Sequence, residues 1–357
     1  MVKKILLVGP KINNRASGLA KFIDNNLKIG IKHYDFKIFD DYLDYSRNKN
    51  LFLSLFKNFI SFISYLKKSN VDIVQFHCNS DGISFLRKYI ELFLAKIFDK
   101  PIIVRYGGSS LISFFSGKGI LSFFFSTYFS MHDAIITQSP LAGDFLNKFV
   151  SKDKIFIVPN FSLSKPSLRK KRNIGYKKVV LFFGGGNIKG DDFRKGSYDL
   201  LNLLNTNKHL FNRYIFVCLN PSKNIIMKSK SMNLDNNILF LPRIGYEDTP
   251  KLYKKIDLLI LPSYGEGFPN SIIECMSHGS VIISTHVGSI PDIITTEKNG
   301  YLVNPGDIRE ISKILEMLDD DIIEKISKNN FNESKEKYGS ENGRNSLINV
   351  YNSINYT

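Results

Sequence analysis

Cysteine is scarce and odd in number. Cys78, Cys218 and Cys275 stand far apart in a chain of 357 residues. They form no metal-ligand spacing and no disulfide framework, which suits a reducing cytoplasm. No run of about 18 uncharged apolar residues occurs, so no segment is expected to span a membrane. A secretory leader pattern is missing too: Met1-Val-Lys-Lys passes directly into Ile5-Leu-Leu-Val8, which reads as a first strand. No internal repeat, coiled coil or low-complexity tract stands out. Acidic residues are outnumbered, 33 against 49 basic ones, for a net charge of +16. The imbalance is uneven. Residues 1–165 hold 23 Lys and Arg against 12 Asp and Glu, a net +11, whereas residues 166–357 hold 26 against 21. No nucleic-acid motif accompanies the basic half. Anionic lipid headgroups or a phosphorylated acceptor are its candidate partners, unless the lysines serve solubility alone.

What is present is an alternation of short apolar runs with helix-length segments, the pattern of α/β architecture with parallel sheets. Six strands are expected near 2–9, 35–40, 71–78, 101–106, 134–139 and 155–160. Six more are expected near 179–184, 214–220, 237–242, 258–263, 280–285 and 301–303. The polar stretch Ser162–Lys178 between them is the best linker. Six and six is the count for two doubly wound domains. Near the end, Leu347, Val350, Tyr351 and Ile354 recur at helical spacing.

The run from Leu258 to Asp292 carries the most chemistry. Leu258–Pro262 reads as a buried strand, Tyr264-Gly-Glu-Gly-Phe-Pro269 as a turn, and Asn270 or Ser271 as the cap of a helix reaching about His278 and stopped by Gly279. Glu266 sits in the turn and Glu274 one turn into the helix. The amides at the helix start face the crevice at the strand ends, where an anion is favoured. A side chain in the second helical turn leans back toward the N-terminus, so both glutamates are expected to approach a ligand held there. Two carboxylates and a ring of amides suit a ligand with several hydroxyls and a phosphate, such as a nucleotide sugar.

Glu266-Gly-Phe-Pro-Asn-Ser-Ile-Ile-Glu274, with Pro262-Ser263 before it and Gly279 and Val287-Gly288-Ser-Ile-Pro-Asp292 after it, resembles the signature of the family 4 retaining glycosyltransferases, of glycosyltransferase group 1. The resemblance implies the GT-B fold: two facing Rossmann-like doubly wound domains with a C-terminal helix crossing back. Residues 1–165 would bind the acceptor, residues 166–337 the nucleotide sugar, and residues 338–357 would form the returning helix. Glu266 would contact hydroxyls of the donor sugar and Glu274 the ribose. The amides of Gly267, Phe268, Pro269's neighbours, Asn270 and Ser271 would hold the sugar and distal phosphate. The implied reaction moves a hexose or related sugar from a nucleoside diphosphate sugar to a hydroxyl. A lipid-linked acceptor for surface polysaccharide and a place on the cytoplasmic side of a membrane follow by analogy only.

Other segments fit this frame unevenly. Val180–Gly186 ends in three glycines, and Arg194-Lys195-Gly196 is expected to open a helix through Leu204. Lys195-Gly196 matches the family's Lys-Gly pair, so Lys195 is expected to neutralise the diphosphate and to act with Glu266 in catalysis. The family arginine after the glycine is replaced by Asn187, which leaves Arg194 as the nearest substitute or as a solvated charge. Gly18, in Ser17-Gly18-Leu19, is assigned to the donor–acceptor cleft by resemblance. After the fourth strand, Arg105 or Tyr106 stands where relatives carry a His-Gly pair, so either is a candidate for the acceptor. His77 ends the third strand and faces the expected cleft edge, or is structural. Arg243 borders the expected nucleobase loop. Asp319-Asp320-Asp321 contains a D-x-D spelling but falls between two amphipathic helical patterns, so it reads as a helix junction and no metal or other cofactor is expected. Leu51–Leu66 and Ile120–Met131 are apolar enough either to lie in a membrane interface beside the basic half or to be core helices. Two readings stay open beside the transferase. One is a non-catalytic subunit of the same fold that binds a sugar or a partner transferase. The other is an enzyme of the same fold, a nucleotide-sugar epimerase or sugar phosphorylase; no epimerase acid–base set is found.

Overall fold

The computed structural model describes residues 2–10, 18–41, 51–79, 82–107, 115, 122–168, 176–186 and 190–354. The chain divides into two compact units. One comprises Met1–Leu163 with Ser340–Thr357, and the other Ser164–Gly339.

The first unit is built on a parallel six-stranded sheet of order β2-β1-β3-β4-β5-β6. Its strands are β1 Lys3–Val8, β2 Tyr34–Phe39, β3 Ile73–Asn79, β4 Ile102–Gly107, β5 Ala134–Thr137 and β6 Ile155–Ile157. Helices cover both faces, so β4 and β5 are buried along their whole length. Helices α2 (Leu51–Ser69) and α3 (Gly82–Ile97) and the helix Ser122–Ser130 cover one face. They pack Phe62, Leu66, Leu92, Ala95, Phe125 and Phe129 against Leu6, Val74, Val104 and Ile135. Helix α1 (Gly18–Lys28) and the terminal helix Ser340–Asn352 cover the other face.

That terminal helix presents Leu347, Val350 and Tyr351 to the first sheet, and Ile354 just beyond it is buried as well. Its attachment is also polar: Tyr351 Oη donates to Gln75 Oε1 at 2.8 Å and Arg344 Nη2 to the Ile29 carbonyl at 2.9 Å. The expected crossing-back helix is therefore present. It begins at Ser340, well before Leu347, the first of its apolar positions.

The second unit carries a parallel sheet of order β12-β11-β10-β7-β8-β9. Its strands are β7 Lys178–Phe183, β8 Tyr214–Leu219, β9 Ile238–Leu241, β10 Leu258–Leu261, β11 Val281–Thr285 and β12 Gly300–Val303. The order of chain crossing reverses between β7 and β10. From β7 the chain winds outward through β8 and β9, then returns to β10 and winds the other way. At such a switch point the loops leaving adjacent strands part to opposite faces and open a crevice at the carboxyl ends. Loops after β7 and β10 thus meet there, and these are the loops holding Lys195 and Glu266.

Two local expectations need correction. The helix expected to open at Arg194 is two pieces: Asp191–Arg194 ends at Lys195, and Ser197–Thr206 begins after Gly196, whose left-handed φ of 67° breaks the helix. The helix after the glutamate turn spans Asn270–Met276 and has Pro269 at its cap position, with no side-chain cap from Asn270 or Ser271. Proline fixes φ and has no N–H to satisfy, so it starts the helix unaided. Of the two readings of Ile120–Met131, the described residues fit the core one: Phe125, Tyr128 and Phe129 are buried.

Candidate active site

Glu266 is the hub of the second unit's crevice. It is buried, and its Oε1 accepts from Lys195 Nζ at 2.5 Å and from Ser263 Oγ at 3.0 Å. Arg194 Nη1 lies 3.3 Å from the same oxygen and donates to the Gly265 carbonyl at 2.6 Å. Arg194 Nε is held by Asp191 Oδ1 at 2.8 Å. One carboxylate thus gathers two cations remote in sequence and a hydroxyl from its own turn. Burial alone would lower the Arg194 pKa, but the Asp191 and Glu266 carboxylates outweigh it and hold the guanidinium above its ordinary value.

Close backbone approach makes this meeting possible. A Cβ on Gly196 would stand 2.1 Å from the Pro262 carbonyl oxygen, and one on Gly288 would stand 1.8 Å from that of Glu266. Both glycines also have positive φ. Lys195-Gly196 can therefore lie directly on the end of β10, and Val287-Gly288 can lie against the glutamate turn. Ser289 N then donates to the Gly267 carbonyl at 3.0 Å, and Thr285 Oγ1 to the Ser263 carbonyl at 2.6 Å, pinning the turn from the β11 side. Tyr264 N donates to the Arg194 carbonyl at 2.8 Å, and the Tyr264 ring stacks on Phe193 at 5.0 Å.

Glu274 is also buried, on the Asn270–Met276 helix. Tyr253 is its hydrogen-bonding neighbour; burial, reinforced by Glu274, pushes the tyrosine pKa far up, so the phenol stays protonated as a donor. Phe268 turns inward and meets Tyr338 edge-on at 5.8 Å, which makes it a prop for the turn. Asn270 and Ser271 form the first helical turn, whose amides precede the first intrahelical acceptor. Arg243 is exposed just beyond β9. Asp319–Asp321 lies at a helix junction: Asp319 caps the helix Asp320–Tyr338 through Ile322 N at 2.8 Å, and Asp320 pairs with Lys178 at 2.5 Å. Sequence reasoning missed Asp191 and Tyr253, which act only through chain folding. Ser263 was visible only as part of the Pro-Ser that precedes the signature.

In the first unit, His77 and Arg105 are register partners on β3 and β4 and share one face. Arg105 is fully buried. Its guanidinium lies 3.6 Å from the Phe22 ring centroid, and Nη2 donates to Asn160 Oδ1 at 2.7 Å. Burial pulls its pKa down to about 9. Gln75 Nε2 lies 3.1 Å from His77 Nε2. Burial first, then the Arg105 and Lys88 charges, keep this imidazole neutral far below its ordinary pKa.

Tyr106 requires correction as an acceptor candidate. Strand alternation turns it to the opposite face, where its hydroxyl lies 2.9 Å from His132 Nε2 inside the core. Gly18 is the first residue of α1, and the loop before it, residues 11–17, lies outside the described residues, as does Asn187.

A family model described as glycosyl transferases group 1 matches residues 177–321, which contain the whole Lys195–Glu266 constellation. Protein CapJ of Staphylococcus aureus is 22% identical over 318 residues, covering 87% of this chain and 76% of CapJ. O-antigen chain mannosyltransferase B of Escherichia coli is 31% identical over 115 residues, covering 32% of this chain and 30% of that protein. Among solved structures, Anabaena Alr3699/HepE in complex with UDP superposes with a TM-score of 0.73 at 13% identity, over 98% of this chain and 100% of that one. Residues 177–321 thus match the group 1 glycosyl transferase model, and the two six-stranded parallel sheets share the GT-B fold of the solved neighbours.

Proposed function

We propose that the chain is a retaining transferase that moves a hexose or related sugar from a nucleoside diphosphate sugar to a hydroxyl of a lipid-linked glycan in surface polysaccharide synthesis. The observation that carries this reading is the convergence of Lys195, Arg194 and Ser263 on buried Glu266 at the β7/β10 switch point. Two cations held by a fixed carboxylate suit a diphosphate leaving group. They are positioned before the reaction and need little reorganisation as negative charge develops on the departing oxygen. Glu266 faces the sugar hydroxyls, and Glu274 with the amides of the Gly267–Ser271 turn receives the ribose and distal phosphate.

In the transfer, the bond from the anomeric carbon to the phosphate oxygen breaks and a bond to the acceptor oxygen forms. The acceptor proton passes to the departing phosphate, and the configuration is kept without a covalent sugar–enzyme bond. The mannosyltransferase and the UDP-bound HepE support a nucleotide-sugar donor and a glycan product. Arg105 and His77 are retained as acceptor-side candidates, and Gly18 as a cleft residue.

Turnover across a panel of nucleotide sugars and lipid-linked acceptors tests the reading, with the product linkage assigned by NMR. An inverted linkage overturns retention. Donor binding without turnover favours a non-catalytic sugar-binding subunit. The D-x-D spelling is taken up by a helix cap and an ion pair to Lys178, so turnover is expected to survive EDTA. Loss on chelation that Mg²⁺ or Mn²⁺ restores would refute metal independence.

A further inference from the structure

Helices α2 and α3 are apolar on two sides. The inner sides pack Phe62 and Leu66, and Leu92 and Ala95, into one core cluster on the same face of the first sheet. The outer sides carry Leu53, Phe56 and Ile60 on α2, and Leu86, Ile90, Phe93 and Ile97 on α3, each between 37% and 63% exposed. Spacings of three, four and seven residues align each set as a stripe along its helix. The two helices pack side by side, so the stripes form one outward face. A contiguous exposed apolar face of this kind marks an interaction surface.

Its charge selects the occupant. Helix α2 contains no Asp or Glu, and its Lys57, Lys67 and Lys68 are exposed with no ion pair among the described residues. The one acidic residue of α3, Glu91, is buried beside Arg87 and Lys88. Beside the α2 stripe, Lys37, Lys57 and Lys68 surround a groove of about 630 Å³ with Ile60 and Tyr65 in its wall. The exposed Asp35 is the acidic group whose field reaches Tyr65. A second copy docking by the same face would press like charges together. Lipid phosphates would meet the lysines while the stripes enter the acyl boundary. No helix among the described residues is long and apolar enough to cross a membrane, so the contact lies in the interface plane.

We propose that the outer face of α2 and α3 is a docking surface for an anionic phospholipid bilayer. The proposal deepens the reading of a lipid-linked acceptor and rests on it for its biological purpose, but its readout is independent of turnover. The test is flotation of the full-length protein with vesicles of neutral lipid alone or with about 30% phosphatidylglycerol. Binding is expected only with the anionic vesicles at low salt, and is expected to fall as salt rises. Phe56→Ser with Phe93→Ser, and separately Lys57→Glu with Lys68→Glu, should each lower partitioning at least about tenfold. Met227→Ser with Leu239→Ser, exposed apolar residues of the second unit, should leave it unchanged. UDP affinity by calorimetry should be the same in all variants. Wild type that ignores anionic vesicles overturns the docking surface, as does equal partitioning of the serine variant. Stripe substitutions that abolish a concentration-dependent dimer without affecting flotation would assign the face to self-association. A protein that floats but neither binds nor turns over a nucleotide sugar would keep this proposal and remove the transferase mechanism.

Discussion

A carboxylate that holds two cations at once is a sensitive place to change a single atom. Glu266→Gln keeps the size and the hydrogen bond to Ser263 but removes the charge shared by Lys195 and Arg194. One charged contact is worth roughly 1.5–3 kcal/mol, so turnover is expected to drop at least about tenfold while the circular dichroism spectrum is kept. Near-normal turnover would remove Glu266 from the mechanism. Lys195→Ala addresses the phosphate instead. Its ammonium is part-buried, 18% exposed, and its partner is Glu266. Nucleoside diphosphate affinity measured by calorimetry should fall roughly 10- to 100-fold, and unchanged affinity would rule out a phosphate contact. Arg105 shows the opposite situation at the same scale. It is a buried cation whose stabilising contacts are an aromatic face and the Asn160 amide oxygen, and burial has already weakened its hold on the proton.

Elements here are joined by a few buried polar ties that hydrophobic packing does not predict. Asp41, just after β2, accepts from Arg87 Nη2 at 2.9 Å and pairs with Lys88, while Lys88 Nζ lies 3.0 Å from Glu91 Oε2. Arg87 Nη1 also donates to the Asp41 carbonyl at 2.6 Å. All four side chains are buried, so the cluster fastens α3 to the end of β2. Asp41→Asn leaves two buried cations with one carboxylate between them. Breaking such a cluster by removing one partner costs about 3–5 kcal/mol. A urea midpoint should shift accordingly with little change in slope, and an unchanged midpoint would show that water already compensates these charges. The glutamate turn is fixed differently, by backbone. Gly288 and Gly196 allow carbonyls to approach where any side chain would collide.

Across the whole molecule, acid stability follows from histidines buried in their neutral form. Burial lowers the pKa of His77 far below its ordinary value, that of His132 to about 3, and that of His278 as well. In the unfolded chain each titrates near pH 6.5. Below that pH the unfolded state binds the protons that the folded state refuses, so stability falls as pH drops. For His132 the window runs from about 6.5 down to about 3. The slope reaches about 1.4 kcal/mol per pH unit for each histidine. Glu91, whose pKa burial raises, works in the other direction and offsets part of the loss. Urea midpoints at pH 7.5 and pH 5 should show a clear decrease, and a folded His132→Gln variant should show a smaller one. A flat profile would mean that these imidazoles are not shielded from protons.

The order of strands and helices, the two six-stranded units and the Glu266–Glu274 segment were legible in the sequence. A strand buried on both faces must be a short apolar run, and tight backbone approaches demand glycine at fixed places. The contact between Lys195 and Glu266 was not legible, because nothing local shows that residues 195 and 266 meet. That meeting depends on β7 and β10 being neighbours, which is a property of sheet order. Adjacent positions Arg105 and Tyr106 looked equivalent as candidates. Alternation sends them to opposite faces, and only the packing of Phe22 and His132 tells which environment each one enters. The same holds for α2, whose periodicity shows two apolar sides. Which side meets the core is decided by the neighbouring helices, since burial is a relation between elements and leaves no mark on a single one.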